Sequence, residues 1–188
     1  MNRLRGRPAR GQGMARDDIL AAALALLDEG GGQGLTMRAL ASRLGVTPMS
    51  LYHHVGDQAQ LLRALSDGVY AEVLEGTTQR VPPRAEIRAL LSRYHHAVGR
   101  HPQLTLALFA TPAALAGVTR QLSERLAALL APITPDARRW RDILVDHAHG
   151  SGLALASARD EAAQAQAMQE QYLQALDRLL DCLTPPAR

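Results

Sequence analysis

Lysine is absent from this chain, and cysteine, phenylalanine and tryptophan occur once each. All 21 basic residues are arginine. In an alanine-rich chain that reads as GC-rich coding and not as a functional choice. The single cysteine, Cys182, excludes an intrachain disulfide and a cysteine metal site, and it fits a reducing cytoplasmic compartment. No apolar run approaches the ~20 residues of a membrane-spanning helix, so no membrane partner is expected. The arginine-bearing N-terminus has no apolar stretch after it, which argues against a signal peptide. Aromatic residues make up only 3% of the chain. Alanine and leucine dominate instead, which favours helices packed on helices over a sheet.

Catalytic and metal-binding patterns are also missing. There is no glycine-rich phosphate loop and no nucleophile elbow. The chain has seven histidines. His53-His54 and His95-His96 are adjacent pairs whose side chains diverge by roughly 100° on a helix. His147 and His149 are two apart. None has the spacing of three or four that helical zinc sites use. The expectation is a protein that is not an enzyme and holds no metal and no cofactor.

What the chain does have is a local excess of positive charge near its start. Residues 1–63 carry eight arginines against five acids, whereas residues 64–188 carry thirteen of each. The formal net charge of +3 therefore sits entirely on the first third, as phosphate binding requires. Residues 1–13 are rich in Arg, Gly and Pro, and are expected to be a flexible basic arm in solution. Arg5-Gly6-Arg7-Pro8 is similar to hooks that lie in a DNA minor groove, which makes Arg5 and Arg7 candidate DNA contacts. The opposing reading is a solubilising tail.

After the arm, Ile19, Leu20, Ala23, Leu26 and Leu27 recur at helical spacing, and Asp17 and Asp18 sit where a first turn favours acids. A first helix is expected over 16–29, ended by Gly30-Gly31-Gly32. Thr36 then has the chemistry of an N-cap for a helix over 37–44, and Gly45 follows its last apolar residue. Thr47 caps a further helix over 48–54, with Pro48 at its first position. Leu51 and Val55 point inward; Met49, Ser50, Tyr52, His53 and His54 are left for the surface. Two short helices joined by a glycine turn form a helix-turn-helix, whose second helix can enter a major groove.

The string from Leu35 to Leu62 resembles the DNA-binding domain of the tetracycline-repressor (TetR) family. The matching residues are Leu35-Thr36, Arg38, Leu40-Ala41, Leu44-Gly45-Val46, Leu51-Tyr52, His54-Val55 and Leu61-Leu62. The resemblance covers roughly the first third of the chain; beyond it only helical layout and length agree. It implies an all-α fold of about nine helices. A flexible arm (1–15) would lead into a three-helix helix-turn-helix domain (16–62) and a C-terminal helical bundle for ligand binding and dimerisation (63–188). It also implies DNA contacts from Thr36, Arg38, Thr47, Met49, Ser50, Tyr52, His53 and His54. Tyr52 and His54 match positions that touch backbone phosphate.

Further helices are expected over 57–74 (capped by Asp57), 84–100, 103–109, 111–130 (with Thr111-Pro112 as cap and first turn), 136–158 and 160–183. Gly150, Ala154 and Ala158 repeat every four residues, and small residues on one stripe let a second helix approach closely. With Tyr172 and Leu176 on the last helix they are the expected seam of a homodimer, because in the family the last two helices pair with their twin. The opposing reading is an intramolecular core stripe. Tyr94, His95, His96, Phe109, Trp140 and His147 are candidates to line a small-molecule site. Tetracycline repressors hold a drug–magnesium chelate through a histidine five residues before the start of the seventh helix, where this chain has Ala107. The acid they use late in the eighth helix falls near Ala154 or Ala156. A different, apolar or amphipathic effector is therefore implied. The functional expectation is a cytoplasmic repressor that binds a palindromic double-stranded DNA operator as a homodimer and is released by that effector. The alternative is a helical small-molecule carrier or a small enzyme without DNA binding.

Overall fold

A computed structural model of the chain describes residues 15–75, 81–158 and 161–183. Among these residues there are nine α-helices, two short 3-10 turns and no strand. Arg5 and Arg7 lie outside the described residues.

The first helix, α1 (Arg16–Gly34), runs beyond its expected end at Glu29, and its backbone leaves helical geometry at Gly31. The glycine run thus kinks the helix where termination was expected. α2 (Met37–Leu44) starts as anticipated: the Ala39 N–H donates to Thr36 Oγ1 at 3.0 Å. It stops because Gly45 adopts φ 66°, a left-handed backbone that any Cβ would strain. The Val46 N–H then reaches back to the Ala41 carbonyl at 3.0 Å. α3 (Pro48–Val55) has its first turn fixed by Thr47, whose hydroxyl accepts from the Ser50 N–H at 3.2 Å. α4 (Gln58–Leu74) is capped by Asp57, which accepts from the Gln60 N–H at 2.8 Å.

The remaining helices are α5 (Pro83–Arg100), α6 (Pro102–Ala110), α7 (Val118–Leu130), α8 (Ala137–Leu155) and α9 (Ala162–Asp181). α7 departs from expectation. Thr111 makes no side-chain cap, and Pro112–Ala114 form only a 3-10 turn. The helix starts at Val118, after Gly117 turns the chain at φ 61°. Its cap comes from far away in sequence: the Val118 N–H donates to Asp67 Oδ1 of α4 at 2.8 Å. A Cβ on Gly117 would lie 2.3 Å from that same oxygen, so the cap and the glycine require each other.

A single apolar cluster extends from Ile19 to Leu183. α4 contributes Leu61 and Leu62 at one end and Leu65, Tyr70 and Val73 further along. α1 packs on both α2 and α6, and α5 lies against α8. The close approach of α5 and α8 depends on small residues. A Cβ on Gly152 would lie 2.8 Å from Val98 Cγ1 and 3.0 Å from the His95 carbonyl oxygen. The opposing reading of the small-residue stripe therefore holds for part of it.

Three of the five residues expected at the dimer seam are corrected by this packing. Ala158 and Tyr172 are each 2% exposed and Leu176 is fully buried, all within this chain's own core. They have no surface left for a second copy. Tyr172 is held there by an O–H donated to the Leu91 carbonyl at 3.0 Å and by the His95 ring stacked 3.8 Å away. Gly150 and Ala154 lie on the opposite side of α8 and are exposed. A Cβ at Gly150 would meet nothing within 4 Å.

Candidate nucleic-acid interface and ligand cavity

α3 is held from beneath and bare on top. Leu51 is fully buried and Val55 nearly so. Met49 is 66% exposed and Tyr52 46%, two large side chains left bare one helical turn apart. Arg38, Thr47, His53 and His54 are exposed as well, and Ser50 is half-buried. Met49, Tyr52 and His53 share a face by their spacing of three and four. Thr36 and Thr47 each already accept a backbone N–H. A hydroxyl in that role keeps its own hydrogen, which remains available to a phosphate oxygen.

The support is rigid. Arg43 on α2 holds Glu29 on α1 through two hydrogen bonds, at 2.9 and 2.5 Å. That contact draws the Glu29 carboxyl below its ordinary pKa and raises the Arg43 guanidinium. Gln58 Nε2 donates to the Leu35 carbonyl at 3.1 Å, fastening α4 to the start of the motif. Arg16 and Arg63 line a groove beside Tyr52, His53 and His54. Residue-by-residue reading misses these two arginines, because the first sits on α1 and the second on α4. Only the local arginine excess hints at them.

The second feature is a cleft enclosed by α4 to α8. It has two adjoining lobes of about 360 and 270 Å³ that share Tyr94, Thr119, Ser123 and Val145. Leu108, Phe109, Leu115 and His149 line the larger lobe; Leu90, Leu91, Leu122 and Leu126 line the smaller. The Tyr94 hydroxyl lies 2.5 Å from His149 Nε2. Phe109 packs edge-on to the same imidazole, with centroids 4.7 Å apart. Tyr70, at the base of the larger lobe, bonds Thr105 Oγ1 at 2.8 Å. Burial raises the pKa of both phenols and lowers that of His149, so all three are neutral near pH 7.

Of the six residues proposed from sequence for a ligand site, the cleft gathers Tyr94 and Phe109. The other four are placed elsewhere. His95 and His147 both stack on Tyr172 in the core. Burial pushes the His95 pKa down to about 4. His96 is exposed and faces a groove between α5 and α9. Trp140 packs partly buried against the core, outside the lining of either lobe. The residues that sequence reasoning misses are His149, Tyr70, Thr105, Thr119 and Ser123. Among the described residues, no group of three His, Cys, Asp or Glu could hold a metal ion. No helix among them is long and apolar enough to cross a membrane.

Residues 19–65, which contain the whole of α2 and α3, match the family model "Bacterial regulatory proteins, tetR family". These residues, and not the whole chain, carry the likeness to the tetR family. An uncharacterised HTH-type transcriptional regulator of Mycobacterium tuberculosis is 34% identical over 106 residues, covering 53% of this chain and 47% of that relative. The class A tetracycline repressor of Escherichia coli is 48% identical over 54 residues, 29% of this chain and 25% of the repressor. The matched segment thus spans about half or less of these curated relatives. In structure, BioQ of Mycobacterium smegmatis superposes with a TM-score of 0.74 at 26% identity, covering 90% of this chain and 98% of that one. A BioQ structure with its natural double-stranded DNA operator gives 0.70 at 25% identity, covering 91% and 98%. The similarity in fold therefore reaches well past the family model, over the cleft as well as the reading head.

Proposed function

We propose that this chain is a cytoplasmic, homodimeric transcriptional repressor that leaves a palindromic operator when a small molecule fills the cleft between α4 and α8. The observation that carries the reading is α3, an eight-residue helix with an exposed Met49–Tyr52–His53 face on a buried Leu51–Val55 base. A face of that kind has no role in the fold, and a major groove admits one helix of its width. Met49 is placed to meet a thymine methyl, while Tyr52, His54 and the hydroxyls of Thr36 and Thr47 meet phosphates. Arg5, Arg7 and Arg38 add charge. The functional division follows: arm over 1–15, reading head over 16–62, effector and dimer region over 63–188.

The dimer seam is the outer stripe of α8, where Gly150 and Ala154 are exposed and Ile143 is 39% exposed. Two reading heads must sit about 34–36 Å apart to enter successive major grooves. α4 is the element able to change that spacing. Its first turns pack under the head, Asp67 caps α7, and Tyr70 forms part of the cleft. A ligand that prefers one position of α7 thereby selects one position of α4. No catalytic step is assigned to the cleft.

The test is a mobility shift with the DNA upstream of the chain's own gene. Wild type is expected to bind it in preference to random DNA, and Tyr52→Ala is expected to lose affinity for both. Equal, weak binding of wild type to every sequence would favour the carrier reading.

A further inference from the structure

The hydrogen-bond directions inside the cleft restrict what can bind there. Thr119 donates its hydroxyl hydrogen to the Ala116 carbonyl at 3.0 Å. Thr105 likewise donates to the His101 carbonyl at 3.3 Å, so the Tyr70 hydroxyl must donate to Thr105 at 2.8 Å. Between Tyr94 and His149 the phenol is the better donor and the imidazole nitrogen the better base, so Tyr94 donates. The hydroxyl hydrogens of Thr119, Tyr70 and Tyr94 are therefore committed to the protein. Tyr94 and Thr119, both half-buried, line both lobes, and their oxygens keep lone pairs that these bonds do not use. Ser123, which lines both lobes, has a hydroxyl that turns either way, so the fixed demand of these walls is for hydrogen at the Tyr94 and Thr119 oxygens.

Four ionised side chains also line the cleft, Arg120 in the larger lobe and Arg141, Asp142 and Asp146 in the smaller. The Arg120 side chain is 67% exposed and lies 3.9 Å from Glu124; Arg141 is paired with Asp142 at 2.6 Å, and Asp146 is exposed. Two arginines and two aspartates leave the lining with no net charge, so an ion taken there would lose its hydration without a surplus charge to meet it. The rings of Tyr94, Phe109 and His149 meet at tilted or edge-on angles of 67° and 85°. Further aromatic edges and faces pack well against such a cluster.

We propose that the cleft takes an uncharged, hydroxylated aromatic molecule that donates hydrogen bonds to the hydroxyl oxygens of Tyr94 and Thr119. The proposal rests on the reading of this cleft as the effector site and adds the chemical class of the effector. It also accounts for a cleft rich in hydroxyls whose lining carries no net charge; a purely aliphatic ligand would leave those hydroxyls unsatisfied.

Three probes of one skeleton separate the possibilities in calorimetric titrations of the full chain at pH 7. 2,6-Dihydroxynaphthalene is neutral and donates; 2,6-dimethoxynaphthalene only accepts; 2-naphthoate is an anion. The dihydroxy probe is expected to bind about tenfold or more tighter than the dimethoxy probe, with naphthoate weakest. Thr119→Val is expected to reduce dihydroxy binding severalfold and leave dimethoxy binding unchanged, whereas Phe109→Ala weakens both. Equal or tighter binding of the dimethoxy or naphthoate probe overturns the proposal, as does no binding of any probe at millimolar concentration. Operator release is measured separately by mobility shift. The expected binding order without release would sustain the ligand class and overturn the effector reading. An apo protein that ignores its operator would overturn the DNA-binding reading alone.

Discussion

The junction of α4 and α7 yields a prediction whose arithmetic depends on one hydrogen bond. Asp67→Ala removes the acceptor of the Val118 N–H, a part-buried donor at the first turn of α7. Losing an N-cap typically costs about 1 kcal/mol, with a range of about 0.5–2. Gly117→Ala acts twice. It places a side chain at φ 61° and ψ −127°, a glycine-only backbone that costs other residues about 1–3 kcal/mol, and its Cβ would fall 2.3 Å from Asp67 Oδ1. The aspartate must then withdraw, and the cap goes with it. The single glycine mutant should therefore lose about 2–4 kcal/mol. The double mutant should lose about the same amount, because the cap can be removed only once. Urea unfolding followed by circular dichroism measures all three variants. The sum of the two single effects should exceed the double by about 1 kcal/mol, whereas independent sites would add to within about 0.5. Simple additivity with a measurable loss in Asp67→Ala would mean that the cap survives the substitution at Gly117.

Other consequences follow from single observations. Tyr52→Ala should lower affinity for operator and random DNA by similar factors, whereas Met49→Ala should change which operator base is preferred; competition binding with single-base operator variants distinguishes them. Deleting residues 1–13 should flatten the log–log salt dependence of DNA binding by about one unit for each phosphate that the arm neutralises, and an unchanged slope would remove the arm from the interface. His95 has a folded-state pKa of about 4, below the ordinary 6.5. The unfolded chain therefore binds the extra proton first, and stability should fall as pH drops from about 6.5 toward 4, by up to roughly 1.4 kcal/mol per pH unit. Burial of His149 acts in the same direction. Urea midpoints at pH 7 and pH 5 measure the decline, and His95→Gln should reduce it.

The parts of the fold that can be read from sequence are those fixed within four residues. Thr36, Thr47 and Asp57 each cap the helix that follows, and Gly45 stops α2, because cap and capped group are neighbours in the chain. The start of α7 escapes such a reading for the opposite reason. Thr111-Pro112 has the local chemistry of a helix start, but the acceptor used by α7 stands 51 residues earlier. The cleft is half legible on the same grounds. Tyr94 and Phe109 stand out as scarce aromatic residues, whereas His149 matters only because α8 turns it toward them. Its neighbour by two, His147, is turned toward Tyr172. Spacing excludes the two as a metal pair without telling which one enters the cleft.

The small residues of α8 carry the same ambiguity into the dimer, and it can be settled by experiment. Gly150 and Gly152 are equally small, yet one faces outward and the other faces Val98. Gly152→Ala should strain the packing of α5 on α8, and overpacking of this kind costs about 1–3 kcal/mol. Gly150→Ala meets open space in the monomer and should be neutral, or stabilising by up to about 1 kcal/mol, through helix propensity. Ala154→Trp is exposed in the monomer, so it should leave each chain helical while forcing apart two helices that meet along this stripe. Sedimentation should then show a shift toward monomer, accompanied by failure to bind the operator, since one head alone holds a half-site too weakly. A mutant that stays fully dimeric would move the seam off the outer face of α8. A mutant that unfolds would mean that Ala154 is a core residue after all, which its exposure contradicts.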